Sequence, residues 1–148
     1  MHTPESVFIF DHFHVRADRM ICDLRIADAR FASLDAPGVA GTDLPRKLTR
    51  RFPDLPSHAC VNDFGPTFGS CMAKASMPHL LEHLVIALQA EAEAADPSVA
   101  APLCFVGKTR WTDFARLAAR VEVNYRDDIT AFRAFRDAAL FVDSIVLE

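Results

Sequence analysis

Residues 76–88 read SMPHLLEHLVIAL and set His79, Glu82 and His83 inside an otherwise apolar run. On a helix advancing about 100° per residue, with His79 at zero, Glu82 falls near ~300° and His83 near ~40°. Leu80, Leu81, Leu84, Val85 and Leu88 then span roughly 100–240°, a continuous apolar stripe on the opposite side. One helix can therefore bury its leucines and still present three ionisable groups together, although Ile86 shares their face. Two imidazoles one turn apart can each direct a nitrogen at a common cation about 2.0–2.1 Å away. A glutamate between them can stand beside that cation without ligating it and take a proton from a bound water.

His79, Glu82 and His83 form H-x-x-E-H, the inverse of the H-E-x-x-H zinc motif, and both orders occur among zinc peptidases. A hydrolytic zinc site also needs a third protein ligand and a fourth position open to water. Cys60, Cys71, Cys104, His58, Asp63 and Glu122 are the available donors. Cys60 is the leading choice, because HAC reads as a short strand just ahead of the helix and a thiolate suits zinc. Glu122, in the alternating run Val121, Glu122, Val123, is the alternative, and Cys104 a further one. His12 and His14 share one face of the first strand and read as polar residues of a sheet edge. Of the four cysteines, three read as small core residues.

The elements that must carry these groups follow from periodicity and punctuation. SVFIFDHFHV and RMICDLRIAD read as two strands of a hairpin, the first with Phe8, Phe10 and His12 on one side and Val7, Ile9 and Asp11 on the other. LDAPGVAGTD is a loop whose Thr42 can cap a short helix over DLPRKLTRRF. SHACVN is a third strand and DFGPTFGS a loop. Ser76 caps the histidine helix, Pro78 fits its first turn, and the helix runs to Ala95 or so, with Leu81, Leu84 and Leu88 buried. LCFVG reads as a buried strand and RLAARVEVNY ends in an alternating one. ITAFRAFRDAALFVDSIV carries Ile129, Phe132, Phe135, Ala139 and Val142 at helical spacing. The order β-β-α-β-α-β-β-α predicts an α+β fold, a mostly antiparallel sheet with helices packed on one face.

With 148 residues, 51% hydrophobic and 24% charged, the chain fits a single domain over residues 1–148. A net charge of −4 and a pI near 5.8 supply no basic field for nucleic acid or anionic lipid. Arg46, Lys47, Arg50 and Arg51 read as a solvated helix face. The sequence shows neither a signal-peptide layout nor an apolar run of spanning length, so a cytoplasmic location is the expectation. In that compartment the cysteines are thiols or metal ligands, not disulfides.

Taken in order, LPSHACVNDFGPTFGS, MPHLLEHLVIALQ, FVGKTRWTD, VEVNYRDD and FVDSIV resemble the N-terminal domain of cyanophycin synthetase, from Ala40 onward. That family shows a His-x-Cys strand, a Gly-Gly-Phe turn, a His-x-x-Glu-His helix, a Gly-Arg-Thr-Arg-Glu-Thr loop and a Glu-Tyr strand end. The resemblance implies a zinc-peptidase-like site that trims cyanophycin, an aspartate backbone bearing arginine side chains, into primers. Carried over by motif, it makes His79, His83 and Cys60 the metal ligands and Glu82 the base. It also puts Lys108 and Arg110 on a substrate-contacting loop suited to a carboxylate-bearing chain. The H-x-x-E-H helix is similar as well to that of pitrilysin-type peptidases and of S-ribosylhomocysteine lyase, the latter with a His, His, Cys metal set.

The sequence also departs from this pattern. Pro66 and Thr67 stand where the turn has Gly-Gly, VIALQ replaces Ala-Leu-Glu-Leu-Gln, and Asn124 replaces the Glu of Glu-Tyr. The family continues into ATP-dependent ligase domains and this sequence stops before them, so hydrolysis without polymer synthesis is the expectation. Two functions follow. One is a zinc-dependent hydrolase of a peptide or arginine/aspartate-rich polymer, in which zinc-bound water attacks the amide and Glu82 carries the proton to the leaving amine. The other is a binding or regulatory module that keeps the fold and the metal but turns nothing over. Glu82 favours the first, because a binding site has no use for a base between two ligands. The altered flanking loops favour the second.

Overall fold

A computed structural model describes residues 3–148. Two alternating segments, β1 (Phe8–Val15) and β2 (Arg19–Ile26), pair antiparallel as the expected hairpin. Two short helices follow, α1 (Pro37–Ala40) and α2 (Leu44–Arg51), and the Thr42 hydroxyl accepts the Leu44 N–H at the start of α2. β3 (Ala59–Asn62) and β4 (Gly65–Thr67) make a small separate hairpin, so part of the segment read as a loop is a strand. The histidine helix is α3 (Met77–Ala94), and Ser76 caps it by accepting the His79 N–H at 3.2 Å. β5 (Gly107–Asp113), β6 (Ala118–Asn124) and α4 (Asp128–Val146) complete the chain.

The main sheet is antiparallel throughout, in the order β1-β2-β6-β5. One cross-strand row explains its layering. Phe13 pairs with Cys22, Cys22 with Val121, and Val121 with Thr109, so all four share a face. At one end of this row Phe13 meets Phe132 and Phe135 of α4, with ring centroids 5.2 Å apart in both cases. At the other end Thr109 bonds to Glu82 of α3. Both long helices therefore cover the same face, as expected of the α+β class. The opposite face carries Arg120 on Asp23, Arg25 on Asp11, and Arg19 on Glu122.

Four expectations about these elements need correction. A bulge after Phe10 puts Phe13 on the helix side and turns His12 to the open face beside His14, so Phe8, Phe10 and His12 do not share a side. LCFVG is not a buried strand: pairing begins at Gly107, and Cys104 and Val106 are exposed. The Asn124 side chain holds this segment instead, accepting from Val106 N–H and donating to the Cys104 carbonyl. The KTRW segment, placed by resemblance on a loop, is strand β5. The stripe on α3 is buried at Leu80, Leu81, Leu84 and Val85, all fully inaccessible, whereas Leu88 is half-buried at its edge. Among the described residues no helix is long and apolar enough to cross a membrane.

Candidate metal centre

The face of α3 that carries His79, Glu82 and His83 is itself covered, by the β3–β4 hairpin and by β5. His79 and His83 sit one turn apart with ring centroids 5.0 Å apart. Phe68, which directly follows β4 and is fully buried, stacks on His83 at 4.1 Å and meets His79 edge-on at 5.1 Å. It clamps both rings. The first residues of β3 bring Cys60 to the same point, where its Sγ lies 3.3 Å from His79 Nε2. One donor atom each of Cys60, His79 and His83 lies within 4.8 Å of the others, a separation that one cation can bridge.

The donors are chemically prepared for a cation. Burial lowers the pKa of His79, and burial with the neighbouring His79 and His58 lowers that of His83 to about 3, so both rings are neutral with lone pairs available. His83 Nε2 is buried and has no hydrogen-bond partner. The nearest carboxylate oxygen, Glu82 Oε2, is 3.7 Å away, beyond bonding distance. An orphaned nitrogen beside a thiol and a second neutral imidazole fits a soft divalent ion.

Glu82 lies beside this group and not within it. Its other oxygen, Oε1, accepts the Thr109 hydroxyl at 2.7 Å. Burial pushes its pKa up to about 7, and the Thr109 hydrogen bond opposes that rise. Gly107 makes room for it, because a Cβ there would stand 2.9 Å from Glu82 Cγ. The carboxylate is thus fixed at one oxygen and free at the other, on the side of the histidines. These groups line an open cavity of about 910 Å³, rimmed by the exposed side chains of Val61, Phe64 and Val106.

Of the donors considered for third ligand, Cys60 is the one brought to the histidines. Glu122 projects from the other face of β6, where Arg19 and Lys108 hold it at 3.0 and 3.6 Å. Cys71 is buried near Cys60, and burial pushes its thiol up to about 11. It stays protonated. Cys104 and Asp63 line the cavity from exposed positions, so Cys104 is not one of three core cysteines. His58 reaches His83 from behind, Nδ1 to Nδ1 at 3.1 Å. Lys108 and Arg110 border the cavity, but strand alternation sets them on the face of β5 opposite Thr109, and Lys108 reaches Glu122. Thr109, Gly107 and Phe68 were missed in the sequence. Thr109 lay in a segment placed by resemblance on a loop, Gly107 closed the run read as a buried strand, and Phe68, the Phe of the turn in which Pro66 and Thr67 replace Gly-Gly, had no spacing that tied it to the histidines. Comparisons of the chain with protein-family models, curated proteins and solved structures each found no match.

Proposed function

We propose that this chain is a zinc-dependent hydrolase of amide bonds, with Cys60, His79 and His83 as the protein ligands and Glu82 as the general base. The observation that carries the reading is the convergence of three metal donors beside a buried carboxylate that does not belong to their set. When bound, zinc supplies a Lewis acid that polarises an amide carbonyl and makes water acidic enough to lose a proton near neutral pH. The chain's own residues do the rest. Glu82 takes that proton on Oε2, the oxygen Thr109 leaves free, and delivers it to the leaving amine. A pKa raised to about 7 suits both steps, since the group can accept and release a proton near neutrality. Phe68 and the hairpin keep the rings fixed and wall water away from one side.

The substrate class follows from the resemblance to the cyanophycin synthetase N-terminal domain. A peptide or arginine/aspartate-rich polymer is the first class to test, with Lys108 and Arg110 at the cavity's border as contacts for its carboxylates. The experiment is metal analysis of protein purified without chelator, then hydrolysis of an arginine-grafted polyaspartate and of Arg- and Asp-rich peptides. About one zinc per chain and cleavage that depends on it are expected. A wild-type chain unable to take up zinc defeats the reading. A chain that binds zinc and polymer, yet is as inert as its Glu82→Gln variant across the panel, is a binding module.

A further inference from the structure

We propose that His58 is the positioning residue that fixes the tautomer of His83, holding its proton on Nδ1 and leaving Nε2 bare for a cation. The inference rests on the metal reading above but concerns a residue outside the ligand set. The two Nδ1 atoms lie 3.1 Å apart, so one carries a proton and the other accepts it. Neutral His83 has two arrangements. If His58 donates, the proton of His83 is forced onto Nε2, where it is a buried N–H with no acceptor, Glu82 Oε2 being 3.7 Å away. It would also occupy the lone pair that a cation needs. If His83 donates, Nε2 is bare and free to serve as the one donor atom that His83 offers to the group formed with Cys60 and His79.

His58 can bear the complementary proton at no such cost. His83 Nε2 is the one buried side-chain nitrogen or oxygen without a partner among the described residues, so the proton on His58 Nε2 is not trapped. Water cannot take over from His58, because the His83 side chain is 1% exposed and its ring is stacked beneath Phe68. The backbone holds His58 in place: its N–H donates to the Leu55 carbonyl at 3.2 Å, and its carbonyl accepts from Phe68 at 2.8 Å. A ligating histidine ordinarily hands its second N–H to a carboxylate or carbonyl, and here a neutral imidazole takes that place.

The test pairs two variants with one spectrum. His58→Phe keeps a ring but removes the acceptor, whereas His58→Asn restores an acceptor oxygen near the Nδ1 position. Zinc affinity, measured by competition with a chromophoric chelator, is expected to fall about 10–100-fold in His58→Phe and by no more than about threefold in His58→Asn. In metal-free wild-type protein, ring-nitrogen NMR is expected to find His83 protonated at Nδ1 and bare at Nε2, and in His58→Phe the proton is expected to shift toward Nε2. A proton on Nε2 in wild type overturns the proposal, as does equal loss of zinc in both variants or none in His58→Phe. If wild type takes up no zinc, the metal reading fails, while the spectrum still decides the tautomer.

Discussion

Glu82 has an environment that a bystander carboxylate would not need: burial, a single hydroxyl donor on one oxygen, and a glycine cleared beneath it. Replacing it with glutamine preserves shape and removes the proton acceptor. Glu82→Gln is expected to keep zinc and to lose about 10²-fold or more in amide hydrolysis, measured on metal-loaded protein. If zinc leaves with the carboxylate, Glu82 is a ligand and the roles are misassigned. Thr109 tunes the same group. Its hydrogen bond stabilises the ionised form, so Thr109→Val should raise the Glu82 pKa and move the acidic limb of the pH–rate profile upward, while Thr109→Ser should restore it. An unmoved limb in Thr109→Val would show that the contact is idle. The sequence revealed His79, Glu82 and His83 because a helix fixes angular relations over four residues without help from the rest of the fold. Cys60 and Thr109 reach the site only through tertiary packing, so the first needed chemical preference to be chosen and the second left no local trace.

Helix α3 succeeds at two tasks because its faces are separated, and the energetic weight lies on the leucine side. Leu84 is fully inaccessible within the hydrophobic core. Leu84→Ala is expected to cost about 2–5 kcal/mol in urea unfolding. Leu88→Ala should cost less, because its side chain is half-buried and the lost atoms leave a space that solvent can enter. Equal losses would mean that the stripe is wrongly ranked. Strand β5 was hidden for a related reason. It is an edge strand whose inward residues are Gly107, Thr109 and Trp111, and whose outward ones are Lys108 and Arg110. No alternation of apolar and polar residues marks it. The apolar run leading into it, LCFVG, drew the strand assignment, yet ahead of Gly107 its backbone is held by Asn124, whose side chain bonds Val106 and Cys104 and whose N–H donates to the Val106 carbonyl at 3.2 Å. Hydrophobic pattern pointed to the wrong segment, because the apolar run is exposed at Cys104 and Val106 and the functional strand is the less hydrophobic of the two. Gly107→Ala is the corresponding backbone test. It should displace Glu82 and lower hydrolysis without removing His79, His83 or Cys60 from the metal.

At the scale of the whole molecule, the centre joins α3 to a hairpin that lies outside the main sheet, so a cation held there would tie together elements with no ladder between them. Zinc that binds the native state alone should raise the melting temperature with its concentration, and His83→Ala should abolish that rise. Without metal, the same buried groups make stability depend on pH in opposite senses. His83 has a native pKa of about 3 against 6.5 when unfolded, so between those values the unfolded chain holds a proton the native one rejects, and stability rises with pH. Glu82 has a native pKa of about 7 against 4.5, so the native state holds the extra proton and stability falls as pH climbs from 4.5 to 7. The two trends oppose one another between 4.5 and 6.5, and the burial-lowered His58 and His79 add to the rising one. Glu82→Gln removes the falling trend alone. The metal-free variant should therefore match wild type more closely in acid and exceed it above neutrality, by on the order of 3 kcal/mol for a shift of this size. Urea midpoints taken across the pH range would measure the gap. Zinc should narrow it, because a neighbouring cation offsets the cost of burying the charged carboxylate. A gap that is constant with pH would show that Glu82 titrates in the native protein as it does in the unfolded chain, and that its burial does not set its protonation.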